Sequence, residues 1–398
     1  MNRTVRYAFC GEELSFALTH ALFSSYNVDV GTTLLLKTIA KRIDLRSVSS
    51  LLDVGCGVGV IGICLARKGP HMEVLMQDRD AMAVAFSREN GRRNRVPGIE
   101  YSCGLALSGL GNRRFDLIAS NWPAKAGQAV LADFCRRAPG HLTEKGMAAV
   151  VIVLPLADGM ERLLREAGHE ILHSERAPGH AVFHFRGSAT GGAAAADRDG
   201  LAPYHRGEGS FRHHGVAYGL STVFGLPDFD TIGYQTSAML DLLHDAPPAG
   251  NWLFWNPGQG HVPAFLLRRG GVPASMTLCS RDILELEASG RNLAAMTAVR
   301  PLCLAMAGEE ELATMQGDGR FDLLCAVPHP VPGVRWQEDM LRASTRLLAP
   351  SGKLCISGTS TEIGRFLDVT KGLRTIRQHK EHGVRAALLV GCASGNTD

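Results

Sequence analysis

Leu51-Leu52-Asp53-Val54-Gly55-Cys56-Gly57-Val58-Gly59-Val60-Ile61-Gly62 decides the fold of this chain. An apolar run ends on an acid, glycines follow at alternate positions, and a helical pattern begins at once. Glycines in that spacing let the backbone turn sharply from strand to helix and approach a ligand with no Cβ between them, while the helix start offers free N–H groups. Asp53, opening the turn, suits an amine-bearing or cationic ligand better than a pyrophosphate. The next apolar run, Glu73 to Asp78, also ends on an acid. A carboxylate there can hold both hydroxyls of a ribose. Either acid can instead cap the helix that follows it.

Working outward, apolar runs near residues 50–54, 73–77, 99–102, 115–120, 146–154, 169–174 and 180–185 alternate with helical patterns near 60–68, 80–94, 127–140 and 158–167. Such alternation predicts a parallel sheet covered on both faces. The last two runs have no helix between them and are joined by Arg176-Ala177-Pro178-Gly179, which predicts a hairpin and an antiparallel final strand. Residues 187–203 carry almost nothing that packs into a core and read as a linker. Beyond them the order returns as an internal repeat. Asn251–Gly260 stands for the glycine loop, Ser275–Asp282 for the second strand and Phe321–Pro328 for the fourth; Phe115-Asp116 pairs with Phe321-Asp322 and Gly31 with Gly233 at an offset of about 200. The chemistry does not return: Asn256 stands for Asp53, His261 or Val262 for Gly59, Ser280 for Asp78, and Val327 or its neighbour for Asn121. The expected organisation is a competent domain over 1–186, a linker over 187–203 and a non-catalytic copy over 204–398.

A length of 398 residues is too great for one ordinary domain and comfortable for two. With 45% apolar and 20% charged residues the composition is that of a soluble globular protein, and no run reaches the roughly 18 apolar residues of a membrane helix. No apolar export segment follows the N-terminus, so a cytoplasmic location is expected. The ten cysteines are scattered without a Cys-x-x-Cys pair and read as reduced core thiols; Cys56, within the glycine loop, has no visible base to make it a nucleophile. His213 and His214, adjacent in sequence, would point apart on any regular element, so no metal site is expected. The net charge of +3 divides into +5 over residues 1–190 and −2 over the remainder. Arginines at Arg92-Arg93-x-Arg95, Arg113-Arg114 and Arg136-Arg137 read either as a phosphate-tracking patch or as solvated helix ends.

The pattern Asp53-x-Gly55-x-Gly57-x-Gly59 followed by Asp78 resembles the S-adenosylmethionine site of class I methyltransferases more than a dinucleotide-binding dehydrogenase. Phe115–Ala124, reading FDLIASNWPA, sits where that family's fourth strand delivers an Asn-Pro-Pro-aromatic motif for methylating exocyclic amino groups. Asn27–Leu36 is similar to the segment before the first strand in the ribosomal RNA guanine-N2 methyltransferases. The resemblance covers roughly residues 1–186. It implies an α/β architecture of two tandem Rossmann-like class I methyltransferase domains, each a mostly parallel seven-stranded sheet with an antiparallel last strand. S-adenosyl-L-methionine is then the cofactor and RNA, ribosomal RNA at guanine N2, the substrate, with no membrane partner.

The same resemblance gives residues their roles. Asp53 receives the cofactor's amino group, Asp78 its ribose hydroxyls, and Gly55, Gly57 and Gly59 the close backbone approach. Cys103 and Gly104 lie at the adenine. Asp29, Gly31 and Thr32 close over the methionine moiety or cap a helix. Asn121 and the backbone carbonyl beside it accept from the amine. Trp122 replaces the motif's first proline and is expected to take over stacking on the base, Pro123 is kept, and Ala124 stands where the aromatic would be. In the best-known tandem members the first copy is degenerate and the second active; here that order is reversed. Two other readings stay open: a small-molecule or protein methyltransferase, and a non-enzymatic cofactor-binding assembly protein.

Overall fold

The computed structural model describes residues 3–22, 27–187, 199–245, 249–317, 319–331 and 333–391. The chain divides into two compact units, Met1–Tyr204 and His205–Asp398. Most of the expected linker, residues 188–198, lies outside the described residues. Leu201 and Tyr204, at its far end, are buried in the first unit.

The first unit opens with a hairpin, β1 (Arg3–Phe9) and β2 (Glu12–Leu18), followed by α1 (Val30–Arg42). Then come β3 (Ser50–Val54), α2 (Val60–Lys68), β4 (Glu73–Asp78), α3 (Ala81–Arg93), β5 (Ile99–Cys103), β6 (Phe115–Asn121), α4 (Gln128–Arg137), β7 (Leu142–Val153), α5 (Ala157–Glu166), β8 (Glu170–Ala177) and β9 (His180–Arg186). The sheet runs β5-β4-β3-β6-β7-β9-β8, parallel except for β9, which is antiparallel to both neighbours. Each strand and helix expected between residues 50 and 186 is present, and the hairpin turns at Pro178-Gly179. Strands such as β3 and β6 are near-continuous apolar runs because helices cover both faces. The strand order reverses between β3 and β6, so a crevice opens at their carboxyl ends, the usual ligand position of open α/β sheets.

The β1–β2 hairpin was not legible as strands. Its Leu14, Phe16 and Leu18 enter the core, and two asparagines of α3 hold it there. Asn90 Oδ1 accepts from the Ala17 N–H (2.7 Å) while its Nδ2 donates to the Ala17 and Val58 carbonyls; Asn94 bonds Ser15 in the same two-way fashion.

The second unit repeats this order: a hairpin of β10 (His205–His213) and β11 (Val216–Val223), α6 (Tyr234–Leu242), β12 (Gly250–Trp255), α7 (His261–Arg268), β13 (Pro273–Ser280), α8 (Ile283–Ala294) and β14 (Leu302–Ala305). There follow α9 (Glu309–Thr314), β15 (Phe321–Ala326), α10 (Trp336–Leu347), β16 (Leu348–Thr359), α11 (Ser360–Val369), β17 (Leu373–Glu381) and β18 (Val384–Gly391). Its sheet, β14-β13-β12-β15-β16-β18-β17, has the same topology. Structural devices are duplicated as well. Asn292 clamps Ser221 of β11 to the Gln259 carbonyl as Asn90 clamps Ala17 to Val58, and Asp322 receives the Asn251 N–H as Asp116 receives those of Ser49 and Ser50. The repeated Phe-Asp pair therefore secures a strand entrance.

The structure corrects part of the sequence correspondence. Gly260 caps α7 with φ 91° as Gly59 caps α2 with φ 90°, Gly258 (58°) matches Gly57 (55°), and Asn256 (53°) matches Gly55 (69°). Gly59 thus corresponds to Gly260, not His261 or Val262, and Asp53 to Phe254, not Asn256. Ser280 and Val327 do end β13 and follow β15 as Asp78 ends β4 and Asn121 ends β6. Gly31 lies inside the first turn of α1, whereas Gly233 is the N-cap of α6.

Gly59 gives the first prediction. Its φ is left-handed, and an added Cβ would lie 2.9 Å from Ile63 Cδ1 and Met76 Cε. Gly59→Ala is expected to cost roughly 2–4 kcal/mol in urea unfolding, because strain and overpacking combine. Gly57→Ala meets nothing within 4 Å and should cost only about 1 kcal/mol. Equal losses would contradict this account of the loop.

Candidate active site

The glycine loop is suspended from the neighbouring strand: Gly55 and Cys56 N–H groups donate to the Gln77 carbonyl at 2.8 and 3.1 Å. Ser87 Oγ donates to the Gly57 carbonyl and Ser120 Oγ to that of Val54. Held this way, Gly55 and Gly57 keep positive φ, and neither would place a Cβ within 4 Å of any other group. The space over them is open to a ligand.

Asp53 is wholly buried. Its Oδ2 accepts from the Gly62 N–H in the first turn of α2 (2.8 Å), while its Oδ1 has no partner. Burial raises its carboxyl to about 7; the Gly62 bond opposes this and nearby Asp78 adds to it. A buried carboxylate oxygen without a donor is costly unless a ligand supplies one. Asp78, half-buried at the end of β4, accepts from Gly57 N–H (2.9 Å) on one oxygen and from Asp80 N–H (2.9 Å) on the other, and keeps lone pairs for further donors. Burial raises it to about 6 against those two bonds. Asp80, not Asp78, caps α3; Asp53 is not the N-cap residue of α2, but through Gly62 it satisfies one of that helix's free first-turn N–H groups. These carboxylates, with the bare loop between them, fit a nucleoside bearing an amino group.

Cys103 ends β5 and Gly104 follows it. Gly104 N–H donates to the Asp78 carbonyl, and a Cβ at Gly104 would meet the Gln77 side chain at 2.9 Å. Gln77 in turn donates to the Ala106 and Ser108 carbonyls, shaping the following turn. Cys56 is buried, 3.3 Å from Ser87 Oγ, and burial pushes its thiol well above the ordinary range. It is a packing residue.

Asn121, at the carboxyl end of β6, meets the start of α1. Its Nδ2 donates to Asp29 Oδ2 (2.8 Å) and to Thr32 Oγ1 (2.9 Å). Asp29 also caps α1 by accepting from Thr32 N–H (3.1 Å). Because an ionised carboxylate only accepts, the amide edge facing Asp29 must be the NH₂. Both amide hydrogens are consumed, and Oδ1 is left as an acceptor alone. Gly31 is tight for another reason: a Cβ there would lie 2.8 Å from the His180 ring, whose Nδ1 is buried without a partner. No sequence signal pointed to His180, which begins β9 at the same end of the sheet.

The expected stacking role of Trp122 is not supported by its position. The indole is 5% exposed and packs 4.7 Å from the Phe134 ring of α4. A base needs an open ring face, and this one belongs to the core. Pro123 and Ala124 are exposed beyond it. The arginine clusters are largely engaged internally: Arg113 pairs with Glu100, Arg136 and Arg137 with Asp133, and Arg114 donates to the Leu142 carbonyl. In the second unit the corresponding crevice persists as a cavity of about 280 Å³ with Phe254, Asn256 and Val327 in its lining. There Asn256 donates to the Val327 carbonyl, and Ser280 Oγ to Glu285. The acids of the first unit have no direct replacement at their own strand positions.

Among the described residues no helix is long and apolar enough to cross a membrane. Residues 13–183 match the model of the methyltransferase small domain family. Over 144 residues, 35% of this chain, it is 32% identical to the ribosomal RNA small subunit methyltransferase C of Haemophilus influenzae, covering 42% of that protein. Over 176 residues, 43% of the chain, it is 32% identical to the enzyme of the same name from Mannheimia succiniciproducens, covering 50% of its length. The chain thus spans about half the length of these curated relatives. Across 98% of both chains the fold matches the T. thermophilus 16S rRNA N2 methyltransferase RsmC, solved with AdoMet and guanosine, at a TM-score of 0.64 and 18% identity. The tandem Rossmann-like methyltransferase architecture is the one expected.

Proposed function

We propose, for a chain whose residues 13–183 carry a methyltransferase small domain, that the first unit transfers a methyl group from S-adenosylmethionine to an exocyclic amine of RNA, guanine N2 of ribosomal RNA being the acceptor. The observation that carries this reading is the fixed amide of Asn121. With both hydrogens held by Asp29 and Thr32, its free oxygen accepts from an NH₂ group and has nothing to offer a carbonyl. That selects an amine and turns its lone pair toward the crevice. The relatives named for ribosomal RNA methylation support the choice of acceptor.

Bound in the crevice, the cofactor supplies an electrophilic methyl on a sulfonium. Asp53 Oδ1 receives its amino group, Asp78 its ribose hydroxyls, and Gly55, Gly57 and Gly59 allow the close approach; the Cys103-Gly104 backbone borders the adenine. Asn121 acts by positioning. No strong base is required of this chain's residues, because the acceptor nitrogen would lose its proton to water only after it has taken up the methyl group. The second unit, with Phe254 and Val327 where Asp53 and Asn121 stand, is a non-catalytic copy.

Tritiated cofactor, purified protein, ribosomal subunits and stripped ribosomal RNA test this. Ribonuclease-sensitive label recovered as N2-methylguanosine is expected. Label confined to a ribonuclease-resistant fraction would overturn the acceptor and leave the cofactor. A small-molecule or protein amine is the second reading, favoured by the burial of Trp122 and by Ala124, which leave the motif without an open aromatic ring.

Thr32 offers a sharper check. Thr32→Val removes one bond to Asn121 but keeps the backbone N–H that Asp29 caps. It should lower kcat roughly tenfold through misorientation of the amide, with cofactor-analogue affinity unchanged by calorimetry and activity restored in Thr32→Ser. Loss of affinity in place of turnover would argue against amide positioning.

A further inference from the structure

Far from the crevice in sequence, the second unit gathers three imidazoles around one carboxylate. The expectation that His213 and His214 point apart fails because His214 sits in the β10–β11 turn with a left-handed φ of 44°. The turn brings the two rings to 4.6 Å. Both Nε2 atoms lie 2.8 Å from the same oxygen, Asp241 Oδ1 in α6. His379 Nε2, from β17, lies 3.5 Å from Asp241 Oδ2. One ligand atom each from His213, His214 and Asp241 falls within a span of 4.8 Å.

We propose that His213, His214 and Asp241, with His379 as the fourth ligand, bind a divalent transition-metal ion of the zinc class. Three imidazoles and one carboxylate favour borderline ions such as Zn²⁺ or Co²⁺ over Mg²⁺ or Ca²⁺, which prefer all-oxygen shells. In a tetrahedral site with bonds of about 2.0 Å, ligand atoms stand roughly 3.3 Å apart. The two 2.8 Å separations to Asp241 Oδ1 lie just below that value, whereas His379, 3.5 Å from the other carboxylate oxygen, stands outside the three-residue cluster and would have to swing in to complete the site. On binding through Nε2, each imidazole would carry its proton on Nδ1 in place of directing it at Asp241, or release it to solvent. Accessibility is graded to suit entry: side-chain exposure is 16% for His213, 20% for Asp241 and 46% for His214. Of the neighbouring charges, Arg377 pairs with Asp245 at 2.8 Å, whereas Glu381 Oε2 lies 3.5 Å from His379 Nε2 and would have to release it. The consequence is structural: one ion would tie the hairpin, α6 and β17 together.

Tag-free full-length protein, stripped with chelator, is titrated with Co²⁺ and, against a chromophoric chelator, with Zn²⁺. One equivalent should bind, Co²⁺ should show the intense visible bands of a four-coordinate site, and stoichiometric Zn²⁺ should raise the Tm. His214→Ala, at an exposed turn position, should fold normally and bind at least tenfold more weakly, as should Asp241→Asn. His379→Ala should lose the four-coordinate spectrum. Absence of stoichiometric binding by the wild-type protein, or equal binding by His214→Ala, overturns the proposal.

Discussion

Asn121→Ala is expected to lower kcat for RNA methylation by roughly 10²-fold, the scale of loss when a reacting group is released from its aligned geometry. Because the amide touches the acceptor and not the transferred methyl, kcat and kcat/KM for RNA should fall together, while the affinity for S-adenosylhomocysteine changes little. Asn121→Asp is not a mild substitution here. It would set a second carboxylate where Nδ2 now lies 2.8 Å from Asp29, and two carboxylates that close do not both ionise. The variant should be nearly as impaired as the alanine form at pH 8 and recover in part as the pH falls and the pair shares a proton. Single-turnover rates with labelled cofactor across pH 6–9 measure both effects. Full activity in Asn121→Ala would remove Asn121 from the mechanism.

The sheets were legible because parallel strands buried on both faces leave unbroken apolar runs, and the crossovers between them leave helical periods of matching length. Leu51–Val54 and Phe115–Ser120 are such runs. The two hairpins lacked that signal. β1 alternates exposed positions with buried Val5 and Phe9 and half-buried Tyr7, with Cys10-Gly11 as the turn, and a short amphipathic ribbon of this kind is held less by its own pattern than by contacts from afar. Those contacts come from Asn90, Asn94 and Asn292. Asparagine is a poor helix former, and buried in the last turn of α3 and of α8, at matched places in the two halves, Asn90 and Asn292 are legible as polar clamps.

Candidate site residues on the glycine loop and strand ends can be proposed from sequence because backbone geometry places them locally. The burial of Trp122 has the opposite cause. Its residue type suggested stacking, but which way a side chain leaves the end of β6 depends on what α4 presents, and Phe134 presents an aromatic face inside. The clamp on Asn121 needed the crossing of α1 and β6, ninety-odd positions apart in sequence, and His213-His214 needed the turn between β10 and β11. The alignment of the two halves slipped by two residues at Asp53 for a similar cause: Asn256 attracted the match through its polarity, while the left-handed backbone that it shares with Gly55 sets the true register.

Asp53 links stability to ligand binding, and its pH dependence should show both. Burial raises its carboxyl to about 7 from an ordinary 3.8. A raised acid favours the folded state fully below its unfolded value, and that contribution is lost as the pH climbs through 7. The ligand-free first unit should therefore be less stable at pH 8 than at pH 5. The part due to Asp53 is on the order of 3 kcal/mol. Asp53→Asn keeps an acceptor for Gly62 N–H and removes the charge, so the wild-type and variant melting curves should converge near pH 4, draw apart progressively from there to pH 7 and stay apart above it, with the variant higher. Binding should run the other way. The wild type should take up S-adenosylhomocysteine more tightly as Asp53 ionises, whereas the variant should bind roughly 10²-fold more weakly with little pH dependence, having lost a buried charge-assisted bond. Thermal melts and calorimetry on the same samples give both curves. A variant that gains stability above pH 6 without losing affinity would mean that the unpartnered oxygen of Asp53 serves no ligand, and the crevice would then have to hold its cofactor by Asp78 and the glycine loop alone.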